Sequence, residues 1–354
     1  MGLLEETVDS VHGQHEDWRN KARNRLEQLI MPRWAMGRVL DLAVDLAGIC
    51  ESLSPATARK GIVVMAGDHG VCEEGVSLYP QEVTLQMVRS FARNGATINA
   101  LAASGGFEVT VVDMGIVGDL SELVADGRVI SSRMGAGTNN MVLGPAMSHE
   151  TALASIEAGI SIACALSKSL DVFGTGDMGI GNTTASAAIA AVITGRSPAE
   201  VTGRGTGVDD EGLRQKVSTI ERAMEVNQPD SRDGLDILAK VGGFEIGGIA
   251  GLILGACRKG KPILIDGYIS TAAALIAKSI CPSATDYMIA AHRSAESGHQ
   301  IMLSHLEKEP LLDLNLRLGE GTGAALAMPL VDSAAVLLTG VLTFEEAAVS
   351  EASG

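Results

Sequence analysis

The chain has 354 residues, 46% of them hydrophobic and 20% charged, which supplies the core of one large α/β domain or about two domains and excludes a disordered chain. Against 27 basic residues stand 43 acidic ones, a formal net charge of −16, and aromatics make up only 3%. That balance excludes a polyanion-binding surface and a base-stacking platform, so no nucleic-acid partner is expected, and any bound phosphate must be held by backbone N–H groups and a few placed cations.

From the start, Met1-Gly2-Leu3-Leu4-Glu5-Glu6 is acidic and carries no secretory signal. Trp18, Ala22, Leu26 and Leu29-Ile30 recur at helical spacing until Pro32, and a second helix is expected over Arg38 to Cys50. Lys60-Gly61 then leads into Ile62-Val63-Val64-Met65-Ala66, a continuous apolar run that ends at Gly67-Asp68-His69-Gly70. This is the pattern of a buried parallel strand with polar residues at its C-terminal tip. Val109–Val112 ends likewise at Asp113-Met114-Gly115, Ser169–Phe173 at Gly174-Thr175-Gly176-Asp177, and Pro262–Ile265 at Asp266-Gly267. Ala-rich helical stretches such as Ala185–Thr194 and Thr271–Ile280 lie between. The alternation predicts an α/β fold with a parallel sheet, whose ligand crevice lies outside the carboxyl ends of the strands. The cysteines, Cys50, Cys72, Cys164, Cys257 and Cys281, are an odd and dispersed set without CxxC, read as reduced thiols of a cytoplasmic protein. The longest apolar runs are read as falling short of about 18 residues, so no membrane span is expected.

The densest motif is Gly174-Thr175-Gly176-Asp177-Met178-Gly179-Ile180-Gly181-Asn182-Thr183-Thr184, expected as a loop between a strand and a helix. It reads as a cradle for a phosphate or ribose, as a structural turn, or, through its literal G-x-G-x-x-G, as a dinucleotide site. The acidic residue about 20 positions on that a dinucleotide fingerprint needs is missing, because Gly195-Arg196-Ser197-Pro198-Ala199-Glu200 is a turn with helix-start chemistry. A second motif, Arg317-Leu318-Gly319-Glu320-Gly321-Thr322-Gly323, sets a glutamate in a glycine collar. In a dry cleft Glu320 would serve as a general base; otherwise it caps the helix that follows. Asp68-His69-Gly70 reads as structural rather than metal-binding, since no histidine spacing fits a metal site and no cofactor is implied. Lys216 is either a solvated helix residue or a cation for a phosphate. Asp209-Asp210-Glu211 reads as a helix N-terminal charge cluster.

In chain order these segments resemble the nicotinate-nucleotide–dimethylbenzimidazole phosphoribosyltransferase family. The likeness is carried by Asp68-His69-Gly70-Val71, Tyr79-Pro80-Gln81-Glu82-Val83-Thr84, Gly176–Thr184, Asn227-Gln228-Pro229, Arg232-Asp233-Gly234, Val241–Gly248, Asp266-Gly267-Tyr268, His292 with Ser294 and Glu296, and Arg317–Gly323, over about residues 30 to 347. The resemblance implies a three-layer α/β/α fold with a mostly parallel Rossmann-like sheet. It further implies a large domain at 55–305, a small helical domain from 1–54 plus 306–354, and a homodimer. The implied reaction moves phosphoribose from nicotinate mononucleotide to 5,6-dimethylbenzimidazole or a related base, giving α-ribazole 5′-phosphate and nicotinate, without a metal. Family position makes Glu320 the base. Gly176, Asp177, Gly179, Gly181, Asn182, Thr183, Thr184, Lys216 and Arg317 are then expected at the ribose phosphate, and Tyr79, Met87, Met178, Ser294 and Leu318 at the acceptor. The sequence departs from the family at Asp177, where a glutamate is usual, and at Met31–Arg38, where only Pro32, Gly37 and Arg38 survive of a Lys-Pro-x-Gly-Ser-Leu-Gly pattern. That segment is expected near the site or the subunit contact. The rival readings are an NAD-dependent oxidoreductase using the G-x-G-x-x-G and a non-catalytic nucleotide-binding homologue.

Overall fold

A computed structural model describes residues 2–205 and 207–350. Six strands form one parallel sheet: β1 (Lys60–Gly67), β2 (Glu108–Gly115), β3 (Ile130–Ser131), β4 (Val172–Met178), β5 (Ile263–Ile265) and β6 (Met288–Ala290), in the order β3-β2-β1-β4-β5-β6. All five neighbouring pairs are parallel, with Val63 opposite Thr110 and Val64 opposite Gly176 at the centre. The order reverses direction between β1 and β4, and the crevice of a doubly wound sheet opens at such a switch point. A short parallel pair that follows β6 in the chain, β7 (His292–Ser294) and β8 (Leu312–Leu316), forms a separate two-stranded sheet.

Strand β1 shows why the sheet is covered on both faces. Ile62, Val64 and Ala66 enter one apolar cluster and Val63 and Met65 the other, so the run is continuous in sequence yet alternates in space. One helical layer contains His149–Leu166, Asn182–Thr194, Phe244–Arg258 and Tyr268–Ile280; the other contains Arg38–Cys50, Glu82–Ala92, Thr97–Gly105 and Thr322–Gly340. Glycine sets the closeness of the first layer. A Cβ on Gly159 would lie 2.0 Å from the Gly248 carbonyl oxygen, and one on Gly251 would lie 1.9 Å from that of Ile156. No other residue fits at that helix crossing.

The expected helices at both chain ends are present as Glu16–Glu27, Arg38–Cys50 and Thr322–Gly340, and the last packs on Arg38–Cys50. Helix Leu3–Ser10 instead docks on His149–Leu166 and Phe244–Arg258, in the opposite layer. The division into 55–305 and 1–54 plus 306–354 is retained as a proposal; Met1 and 351–354 lie outside the described residues.

Two expectations are corrected. The strand expected to stop at Phe173 runs on to Met178, so Gly174, Gly176 and Asp177 belong to β4 rather than to a loop. Both glycines sit there because neighbours crowd them: a Cβ would lie 2.4 Å from Ile62 Cδ1 at Gly174 and 2.8 Å from the Glu320 carbonyl oxygen at Gly176. Helix Thr322–Gly340 spans 19 residues with a mean hydropathy of 1.5 over its most apolar stretch, longer than the sequence reading allowed. Among the described residues it alone is long and apolar enough to cross a membrane. Half of that stretch is buried within the fold, and its Asp332 pairs with Lys60 at 2.8 Å.

Candidate active site

A cleft of about 540 Å³ opens at the switch point, lined by residues that follow β1 (Tyr79), β4 (Gly179, Ile180, Asn182 and Thr183), β5 (Gly267, Tyr268 and Ile269) and β6 (His292, Ser294 and Glu296). Asp177 and Met178, at the end of β4 itself, and Gly205, Asn315, Leu316, Arg317, Leu318 and Gly319 complete the wall. The volume is that of an ordinary small-molecule site.

Helix Asn182–Thr194 begins at Gly181 (φ +94°), and no side chain caps it. The Asn182 and Thr184 amides are already spent on the Gly179 and Gly181 carbonyls at 3.2 and 2.9 Å, so what this end presents beside the cleft-lining Asn182 and Thr183 is chiefly the positive end of the helix dipole, where an anion is favoured. Lys216 Nζ donates to Thr183 Oγ1 at 2.8 Å, and the lysine is only 1% exposed. The solvated-face alternative for Lys216 is thereby overturned. Burial lowers its pKa to about 8, partly opposed by Glu296. Gly205, with φ +52°, comes so close that a Cβ would stand 3.0 Å from both Lys216 Nζ and Thr183 Oγ1, and its N–H donates to Glu296 Oε2 at 3.2 Å. The acidic run is a helix start as expected: Asp209 caps Asp210–Asn227, accepting from Gly212 N at 2.9 Å.

Asp177 is buried at the end of β4, and its Oδ2 accepts from Asn182 Nδ2 at 3.1 Å while its Oδ1 has no partner among the described residues. Burial, together with Asp266, Glu245 and Glu320, raises its pKa well above the usual carboxylate range, and the Asn182 bond opposes this. That environment favours the protonated form, which offers a donor as well as an acceptor, more than an exposed aspartate's surroundings do.

Glu320 follows the wall residue Gly319 but does not itself line the cleft; it is 5% exposed, with φ +61°. Its Oε2 accepts from Ile98 N at 3.2 Å, at the N-terminus of helix Thr97–Gly105. The capping alternative is thus half right. Glu320 contacts a helix start, but the carboxylate at the start of the following helix is that of Asp266, which accepts from Gly321 N and Ala324 N at 3.2 and 2.9 Å. Burial raises the Glu320 pKa, the Ile98 N–H opposes the rise, and Asp266 adds to it.

Of the expected site residues, Tyr79, Asp177, Met178, Gly179, Asn182, Thr183, Ser294, Arg317 and Leu318 line the cleft. Gly176, Gly181, Thr184 and Lys216 lie directly behind that lining, whereas Met87 packs half-buried against the apolar cluster of Val88 and Phe91. No residue of the 31–38 segment lines the cleft, and Arg38 instead donates to the carbonyls of Glu309 and Pro310. Glu296, Gly205, Asn315 and the Gly267–Ile269 turn were not singled out as site residues. Only the rule that strand ends carry ligand contacts pointed to the last of these.

His69 is buried and structural: its Nε2 bonds Glu245 Oε1 beneath the Gly179 turn. Burial opposes its charge, but Glu245 and Asp68 together hold the imidazole above its ordinary pKa. Among the described residues no group of histidine, cysteine or carboxylate side chains is arranged to hold a metal ion. Removing one partner of such a pair strands a buried charge, so Glu245→Ala should lower unfolding stability in urea by about 3–5 kcal/mol.

The literal G-x-G-x-x-G fails in space. Its first two glycines lie inside β4, so they form no turn around a pyrophosphate.

Comparison with known proteins agrees with this geometry. A family model described as "Phosphoribosyltransferase" matches residues 11–349. The nicotinate-nucleotide–dimethylbenzimidazole phosphoribosyltransferase of Syntrophotalea carbinolica is 58% identical over 351 residues, 99% of each chain, and that of Desulfotalea psychrophila is 54% identical over the same span. The crystal structure of the Thermus thermophilus enzyme of that name superposes with a TM-score of 0.90 at 42% identity, covering 96% of this chain and 100% of that one. The oxidoreductase reading finds no support in these matches. The switch-point cleft with its buried lysine fits these enzymes, and near-full-length matches at 42% to 58% identity place the chain in the nicotinate-nucleotide–dimethylbenzimidazole phosphoribosyltransferase family.

Proposed function

We propose that the cleft transfers phosphoribose from nicotinate mononucleotide to 5,6-dimethylbenzimidazole or a related base, releasing nicotinate and α-ribazole 5′-phosphate. The observation that carries the reading is Lys216, buried and bonded to Thr183 at the uncapped start of helix Asn182–Thr194. In a chain of net charge −16, that arrangement serves an anion and little else. The phosphate sits against Thr183, Gly205 and Lys216, with Arg317 at the rim. The free Oδ1 of Asp177 meets a ribose hydroxyl. The acceptor lies among Tyr79, Met178, Ser294 and Leu318, where Tyr79 and Leu318 are 53% and 55% exposed and offer apolar surface to a flat ring.

The acceptor's ring nitrogen attacks C1′ from the face opposite nicotinate, forming a C–N bond as the bond to nicotinate breaks. The departing ring keeps the electron pair and becomes a neutral pyridine, so it needs little acid assistance. The acceptor must shed the proton on its other nitrogen. Family position assigns that proton to Glu320, which lies directly behind Gly319 of the cleft wall, and proximity supplies much of the remaining rate. The same reading includes a cytoplasmic location and a homodimer; light scattering on the purified protein should give twice the chain mass.

The test of the reading is release of nicotinate from the mononucleotide, followed by chromatography. Release is expected only with an acceptor present, matched by one equivalent of ribazole phosphate. Binding of the mononucleotide with no turnover across a panel of benzimidazoles, purines and phenols would favour the non-catalytic homologue.

A further inference from the structure

Residues Gly319, Glu320 and Gly321 take φ values of +87°, +61° and +86°, three successive residues in the left-handed region. Glycine adopts that region freely, but a glutamate there is strained and persists only where its surroundings fix it. The turn is fixed from two sides. On its own chain, Thr322 N and Thr322 Oγ1 both donate to Gly319 O, at 3.0 and 2.9 Å. From the tip of β5, Asp266 Oδ2 accepts from Gly321 N at 3.2 Å and Oδ1 from Ala324 N at 2.9 Å.

Asp266 is itself immobilised. It is 1% exposed, its N–H donates to Thr175 Oγ1 of β4 at 3.0 Å, and His292 Nε2 stands 3.7 Å from its Oδ1. The His292 ring packs against the helix start, where a Cβ on Gly323 would fall 1.8 Å from His292 Cδ2. A carboxylate anchored to the sheet thus grips the peptide that follows Glu320, and among the described residues no other side chain bonds the Gly321 amide.

We propose that Asp266 is a positioning residue for the phosphoribosyl transfer: by clamping the Gly321 and Ala324 amides to the tip of β5, it holds the Glu320 turn in its strained conformation. The inference rests on Glu320 acting as the base. Asp266 does this without contacting the acceptor, so its loss shows in turnover rather than in donor binding.

The charge of the clamp has a separate signature. Glu320 faces Asp266 from β5, Asp177 from β4 and the Ile98 amide from helix Thr97–Gly105, while Asp266 also faces His292. Asp266 is one of the groups that raise the Glu320 pKa, after burial. Neutralising it moves the acid limb of the kcat–pH profile to lower pH, further than loosening the same turn with the charge left in place.

Asp266→Asn keeps the volume but loses the charge and one acceptor. A displacement of about 1 Å at a catalytic group costs about 100-fold, so kcat is expected to fall about 10–100-fold. Calorimetric affinity for nicotinate mononucleotide should stay within about threefold of the parent, with the acid limb moved down. A kcat within about twofold of the parent, an unmoved acid limb, or a loss of donor affinity at parental kcat overturns the proposal. Thr322→Val loosens the same turn without touching a charge. Its kcat should fall at least about fivefold with the acid limb moved less than in Asp266→Asn, and parental kcat there overturns the clamp even if Asp266→Asn does not fold. Glu320→Gln separates the two layers of inference. If it retains more than about a tenth of parental kcat, the base assignment fails; if it is inert while Asp266→Asn is parental, only the clamp fails.

Discussion

Glu320→Gln should lower kcat by about 10²–10⁴-fold, the range that a positioned general base supplies, with donor affinity little changed. The substitution keeps the side chain's shape, and its amide oxygen can still accept from Ile98 N, so the strained turn has no new reason to rearrange. What disappears is the capacity to take a proton. The parent profile carries the complementary signature. The Glu320 pKa is raised by burial, so kcat should decline on the acid side at a pH above that of an ordinary glutamate, as the base becomes protonated. Stopped assays of nicotinate release between pH 4 and 9, read for kcat and KM separately, check both effects. A fall in donor affinity with kcat preserved would place Glu320 in donor binding instead.

Lys216→Met should raise KM for nicotinate mononucleotide about 10–100-fold, which corresponds to the about 1.5–3 kcal/mol of a hydrogen bond to a charged group. Methionine fills the same buried channel, so the loss is of charge and donor rather than of packing. The pH dependence follows from the buried setting. Lys216 titrates at about 8 because burial disfavours its cation, and Glu296 restores only part of it. It is therefore charged below pH 8 and neutral above. The donor phosphate, with a second pKa of about 6, is already a dianion there. For the parent, kcat/KM for the donor should fall as pH rises through about 8, and in Lys216→Met that alkaline limb should be absent. Persistence of the limb in the variant would assign it to another group.

The sheet was legible because β1, β2, β4 and β5 each leave an apolar run ending in a glycine-rich polar tip. The short strands β3, β6 and β7 end in no glycine-rich tip of that kind, and β8, Leu312–Leu316, is largely exposed. At the β4 tip the sequence misplaced the strand end. Glycine reads locally as a turn signal, whereas Gly174 and Gly176 are required by Ile62 and by Glu320, which are far away in sequence. For Lys216 the local reading stayed evenly balanced. Its helix carries Arg214, Glu221 and Arg222 on an outward face, and only contacts distant in sequence, with Thr183 and Gly205, show that this lysine points inward. The role of Asp266 was invisible for a related reason, since a cap normally belongs to the residue just before the helix. Here the helix at Thr322 is capped by a side chain 55 residues upstream of Gly321.

Direct displacement at one carbon, within one cleft, has a stereochemical consequence that can be read without a variant. Incubation of the protein with the β-configured mononucleotide and 5,6-dimethylbenzimidazole, followed by nuclear magnetic resonance of the isolated ribazole phosphate, reports the configuration at C1′. The account predicts the α anomer alone, formed in step with nicotinate. A β product, a mixture of anomers, or nicotinate released with free ribose phosphate and no coupled base would contradict it.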